Sequence, residues 1–139
     1  MANTVQAFDT FEADRFNGVH NFSSHTFKVA LLDGYSFTSS HVQLSEVISF
    51  ETSGAGYTAG GAALQNLSVA FGGGFTTFDA DDLLWQTATL TADGAVIYND
   101  THANDRLVCF IAFDPSLAPT ANDLRLRFNA NGIIRSSVS

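Results

Sequence analysis

Leu107-Val108-Cys109-Phe110-Ile111-Ala112-Phe113 is apolar at every position. Apolar residues on both faces of an extended segment require cover on both sides, so this run reads as a central strand. Thr26-Phe27-Lys28-Val29-Ala30-Leu31-Leu32 puts Phe27, Val29 and Leu31 at period two, a second strand, and Asp33-Gly34 ends it. Leu67, Val69 and Phe71 alternate in the same way. Gly72-Gly73-Gly74 then breaks the run, and Phe75 to Phe78 reads as its hairpin partner. Leu124, Leu126 and Phe128 alternate with Asp123, Arg125 and Arg127, a strand with one wet face.

Other segments extend the pattern. Thr87 to Thr91 and Ala95 to Tyr98 flank Ala92-Asp93-Gly94, which reads as a hairpin turn. Asn131-Gly132 reads as a turn into a last strand, Ile133 to Val138. Val42 to Phe50 fits a short helix or a strand. At the start, Asn3 can cap a helix with Gln6 three residues on, Val5, Phe8 and Phe11 recur at spacing three, and Gly18 suits a helix end. The expectation is a mainly β fold: one β-sandwich or jelly-roll-like barrel of about seven or eight short strands with a short N-terminal helix. Residues 1–139 form a single domain, with residues 1–22 as a helical N-terminal arm.

Composition narrows the function. Hydrophobic residues make up 45% of the 139 residues, enough for a core without cross-links. Of the aromatics 13 are Phe, against three Tyr and one Trp, so the rings read as packing material. The net charge of −8 opposes phosphate backbones and anionic lipid, so neither nucleic acid nor membrane is expected as a partner. The only cysteine, Cys109, lies in the central apolar run and reads as a buried thiol. Met1 to Gln6 lacks a basic segment followed by an apolar one, so no signal peptide is expected. No stretch approaches the ~20 apolar residues of a membrane span.

Each chemical motif has a plainer reading. Ser53 to Gly61 is Gly-rich, but Gly61 is followed by Ala62-Ala63-Leu64 rather than the Lys and Ser or Thr of a phosphate loop. Its glycines read as positive-φ positions in a surface loop. His20, His25, His41 and His102 have no zinc-ligand spacing. Asp79-Ala80-Asp81-Asp82 and Asn99 to Asp105 could hold calcium, yet Asp and Asn also close turns on their own backbone. No Gly-x-Ser-x-Gly elbow occurs. No catalytic, metal or cofactor site is expected.

Several segments taken in order carry a resemblance. They are Gly18-Val19-His20-Asn21-Phe22, Thr26 to Leu32, Gly54-Ala55-Gly56-Tyr57-Thr58-Ala59-Gly60-Gly61-Ala62, Ala95-Val96-Ile97-Tyr98-Asn99-Asp100, Leu107 to Asp114, and Asn131-Gly132-Ile133. This series resembles a family of small virion structural proteins of tailed bacteriophages. Gly-Tyr-Thr-Ala-Gly-Gly is its most specific part, and the likeness spans roughly Phe8 to Ile134. Ser36 to His41 and Gly72 to Gly74 depart from the family pattern.

The resemblance implies a capsid decoration, or cement, protein. Such a protein is made in the host cytoplasm and binds the outside of the assembled head. Its partners would be the major capsid protein and copies of itself, expected as a trimer. The alternatives are a tail or head–tail junction protein and a carbohydrate-binding attachment module using Trp85, Tyr35, Tyr57 and Tyr98. Aromatic anchors dominate interfaces. Phe8, Phe11 and Phe16 in the arm, Tyr35 and Phe37 in the Ser- and Thr-rich loop, and Tyr57 in the Gly-rich loop are therefore the candidate contacts. The plain alternative for each Phe is the core.

Overall fold

The computed structural model describes residues 3–128 and 132–137. Ten strands lie among them: β1 (Thr4–Ala7), β2 (Phe27–Leu32), β3 (Ala62–Ala63), β4 (Ser68–Gly72), β5 (Phe75–Asp79), β6 (Leu83–Ala88), β7 (Ala92–Asn99), β8 (Leu107–Leu117), β9 (Asn122–Leu126) and β10 (Ile134–Ser137). One helix, α1 (Thr10–Phe16), follows β1, and Leu44–Glu46 and Ile48–Phe50 form single 3-10 turns. The fold is mainly β, as expected, and all strand pairs are antiparallel.

The main sheet has five strands in the order β1-β8-β7-β2-β3. The apolar run from Leu107 supplies most of β8, which lies between β1 and β7. Alternating side chains feed two cores. Phe27, Val29, Leu31, Ala95, Ile97, Cys109 and Ile111 point to one side, where β5, β6 and β9 add Phe78, Trp85, Leu124 and Leu126. Ala30, Leu32, Val96, Tyr98, Leu107 and Phe110 point to the other, where Phe8, Tyr35, Leu44 and Val47 cover them. Each fully buried Leu, Ile or Phe contributes on the order of 2 kcal/mol. Two smaller sheets complete the first layer: β10-β5-β4 and β6-β9.

Three expectations are corrected. The helix begins at Thr10 rather than just after Asn3, because Thr4 to Ala7 pair with Cys109 to Ala112 along the sheet edge. The segment before residue 22 is therefore not a helical arm: Phe8 and Phe11 are 2% and 1% exposed and belong to the cores. Ala92-Asp93-Gly94 is not a turn but the start of β7, and β6 pairs with β9 instead. Gly94 is held extended by pairing with Leu32 and Ala112 on its two sides, and the Phe110 ring fills the space a side chain would need, 2.6 Å from a Cβ placed there.

The strands read at Phe27, Leu67, Phe75 and Leu124 are present as β2, β4, β5 and β9. Gly18 does leave α1 with a positive φ of 76°. Of the expected last strand, β10 covers Ile134–Ser137. Asn131 and Val138, at the turn and the strand end, lie outside the described residues.

Candidate functional site

Two clusters of polar side chains stand out, and in each the groups are tied to one another. Asp14 on α1 accepts two hydrogen bonds from Arg106 (2.9 and 2.7 Å) and one from Thr10 (3.2 Å). Burial raises its pKa, but the bonds and charge of Arg106 outweigh that, so the carboxyl sits below its ordinary value. His20 packs beside this pair with its side chain fully enclosed. Burial pushes its pKa down to about 4 against the attraction of Asp14, so it is neutral at pH 7. Asn99 donates through Nδ2 to Val19 O (3.1 Å), His20 Nδ1 (3.1 Å) and His25 Nδ1 (3.0 Å), sharing two hydrogens among three acceptors. A lone pair on His20 Nδ1 places the ring proton on Nε2, 3.7 Å from Asp14 Oδ2. Asn99 Oδ1 accepts from Thr101 and His102 N–H and closes the turn after β7.

A second cluster seats the Gly-rich loop. Tyr57 Oη donates to Glu51 (2.5 Å) and accepts from Leu31 N–H (3.0 Å). Glu51 also accepts from Gly60 N–H (2.7 Å), and Tyr98 Oη donates to Gly60 O (2.5 Å). Burial raises the pKa of both phenols, so they stay protonated donors. The loop presses on the sheet. A Cβ at Gly61 would lie 1.8 Å from Val29 O, and one at Gly54 2.0 Å from Thr89 O.

The quoted motifs therefore meet in space. Gly-Val-His meets Asn99, and Gly-Tyr-Thr-Ala-Gly-Gly meets Tyr98 and β2. They hold the fold together. Cys109 is enclosed in β8, where burial raises its thiol pKa. The Asp79–Asp82 loop is tied to its surroundings: Asp79 accepts from Ala80 N–H, Asp81 from Asn66 and Asp82 from Phe128 N–H. Among the described residues no three His, Cys, Asp or Glu side chains converge as metal ligands would, and no described helix is long and apolar enough to cross a membrane.

The candidate contact residues separate sharply. Phe8, Phe11 and Tyr35 are buried and not free to anchor a partner. Phe37 is half-buried and stacks on Phe110 at 5.8 Å. Tyr57 is half-buried with its hydroxyl engaged as above. Phe16 alone stands open, 82% exposed, beside the Arg15 guanidinium. Of the aromatics named for a sugar-stacking platform, Trp85, Tyr35 and Tyr98 are buried and Tyr57 is half-buried.

The more exposed apolar face lies elsewhere. On the β4–β5 hairpin Phe71 is 89% exposed, with Val69 and Phe75 also open. Val69, Phe78 and Ile134 form one wall of an apolar cavity of about 180 Å³. Phe11, Phe22 and Arg15 form the other. Arg135 lies across the outer side of the hairpin, 3.7 Å over the Phe75 ring. A second open apolar pair, Ile48 and Phe50, sits over the opposite face of the main sheet, beside a hollow of about 350 Å³ lined by Ile48, Leu44 and Asp105. The sequence signal for the hairpin was available: no charged residue stands between Glu51 and Asp79, and Phe flanks the three glycines on both sides.

No protein-family model, curated protein or solved structure matches this chain.

Proposed function

We propose that this chain is a structural subunit of a tailed-phage particle, of the decoration kind. It attaches to the outside of the assembled head and strengthens contacts between major capsid subunits. One observation carries the assembly role: large apolar side chains stand open on opposite sides of the main sheet, while the ionisable clusters are consumed in holding the fold. Phe16, Val69, Phe71 and Phe75 mark one side, and Ile48 and Phe50 the other. A subunit that links neighbours needs two such contacts, and exposed apolar groups of this size mark interaction surfaces. The virion context rests on the sequence resemblance. The acidic charge suits a chain kept soluble in many copies before assembly. Binding only the assembled shell would stabilise that shell by mass action.

Purified particles test the reading. The expected result is the protein on the head in hundreds of copies, and heads lacking it that break at lower temperature. A few copies confined to the tail would replace it with the tail or junction alternative.

A further inference from the structure

The β4–β5 hairpin turns through Gly73 and Gly74, both at positive φ (60° and 82°), as a two-residue type I′ turn requires. Such a turn makes Gly72 and Phe75 a hydrogen-bonded pair. By alternation Ser68, Ala70 and Gly72 direct their backbone groups to β5, and Val69 and Phe71 direct theirs outward. β4 is the end strand of its sheet, and each of its five residues is exposed. Natural edges are guarded by Lys, Pro, bulges or shortness. Ser68-Val69-Ala70-Phe71-Gly72 has no charge, no Pro and no bulge.

Charge selects the occupant. A chain of net charge −8 repels its own copies over most of its surface. The hairpin is free of charge from Ser68 to Phe78, and its one carboxylate, Asp79, stands at the end away from the turn, paired with Ser68. Two copies can approach along β4 with no carboxylate on the strand itself. Shape agrees. By register Val69 and Phe71 fall on the same face as Phe78, since Val69 pairs with Phe78 and Phe71 with Thr76; Val69 lines the cavity of its own chain, and Phe71, nearer the turn, does not and stands open beside Phe75 and Arg135. The cavity behind Val69, at about 180 Å³, has the size of a phenyl group: a 150 Å³ apolar cavity holds benzene.

We propose that β4 is a self-pairing edge. Two copies join antiparallel about a two-fold axis at Ala70, so that Val69 lies opposite the second copy's Phe71. Each Phe71 ring then sits at the mouth of the other copy's cavity, and the two three-stranded sheets become one. Val69 and Phe71 exchange their outward backbone hydrogen bonds across the axis. The contact is isologous and closes at two copies, where the resemblance leads one to expect three. The pairing is a property of the chain alone: it occupies hairpin residues that the proposed function counts in one of its two contacts, but its test in solution does not depend on the virion reading.

Sedimentation of the purified chain from micromolar to millimolar concentration tests it. The expected species is a dimer, returned to monomer by Phe71→Lys and by Val69→Pro, which removes an N–H that β5 does not use. Circular dichroism should be unchanged in Phe71→Lys, whose side chain is open to water, and that variant together with the cross-linking below decides the matter should Val69→Pro disturb the cavity wall. Paired Ala70 residues would have Cα atoms about 4.5 Å apart, within disulfide range. Ala70→Cys should therefore give a covalent dimer on oxidation and Leu67→Cys should not, with the native Cys109 silent because it is enclosed. A wild-type monomer throughout, a trimer, a dimer indifferent to Phe71→Lys, or equal cross-linking from Leu67 would each overturn the proposal.

Discussion

Two glycine clusters look alike as sequence and behave as opposites in the fold. Gly54, Gly56, Gly60 and Gly61 lie in a loop pressed against β2 and the strand-end segment around Thr89. There backbone atoms of Val29, Thr89 and Gln86 stand where side chains would go, at 1.8, 2.0 and 2.7 Å. Gly72, Gly73 and Gly74 have nothing within 4 Å of a Cβ. In the first cluster glycine permits close approach, and polar bonds from Tyr57, Glu51 and Tyr98 fix the result. In the second it only permits the reversal of the chain, and the flanking Phe71 and Phe75 remain exposed. Glycine content alone thus says nothing about mobility; what the neighbouring strands leave room for decides it.

The contrast can be broken by substitution. Gly61→Ala should have the largest effect, a loss above about 4 kcal/mol, because both its φ of 86° and the Val29 carbonyl oppose a side chain. A thermal midpoint within a few degrees of wild type would show that the loop is not seated. Arg106→Leu should cost about 3 kcal/mol in urea unfolding, since it strands the Asp14 carboxylate beneath α1. Adding Asp14→Asn should recover part of that loss.

Acid should weaken the same end of the molecule. His20 is held neutral with a pKa near 4, whereas the unfolded chain takes the proton near 6.5. The unfolded state therefore binds more protons as pH falls, and this contribution to stability, complete above 6.5, drains away toward about 4. By pH 5 the loss should be about 2 kcal/mol, and His20→Gln should flatten the profile between those values. Gly73→Asn should have the smallest effect, within about 0.5 kcal/mol, because Asn also suits a type I′ turn. A large loss there would erase the difference between the clusters.

The β class was legible because period-two runs such as Phe27-Val29-Leu31 and Leu124-Leu126 declare their buried face locally. The first strand was not. Val5, Phe8 and Phe11 have helical spacing, and only pairing with Cys109 to Ala112, a hundred residues away in sequence, makes Thr4 to Ala7 extended. Asp93-Gly94 misled for a related reason. Its dipeptide favours a turn, but the Phe110 ring across the sheet claims the space above Gly94. The interlocking of Tyr57 with Glu51 and of His20 with Asn99 is likewise tertiary, so no spacing announces it. The open hairpin was partly visible in the charge-free run around Gly72 to Gly74, but attention to Phe8 and Phe11 pointed instead at rings that the core absorbs.

Trp85 gives the molecule an optical gauge of its own integrity. It is the only indole in the chain, 6% exposed, with its ring centroid 6.3 Å from that of Tyr57. Its emission should be blue while the Gly-rich loop is down and shift to the red when that loop lifts, with the tyrosine-to-indole energy transfer fading in step. Partial opening at the loop and global melting would then be separable in one cuvette, without any added dye.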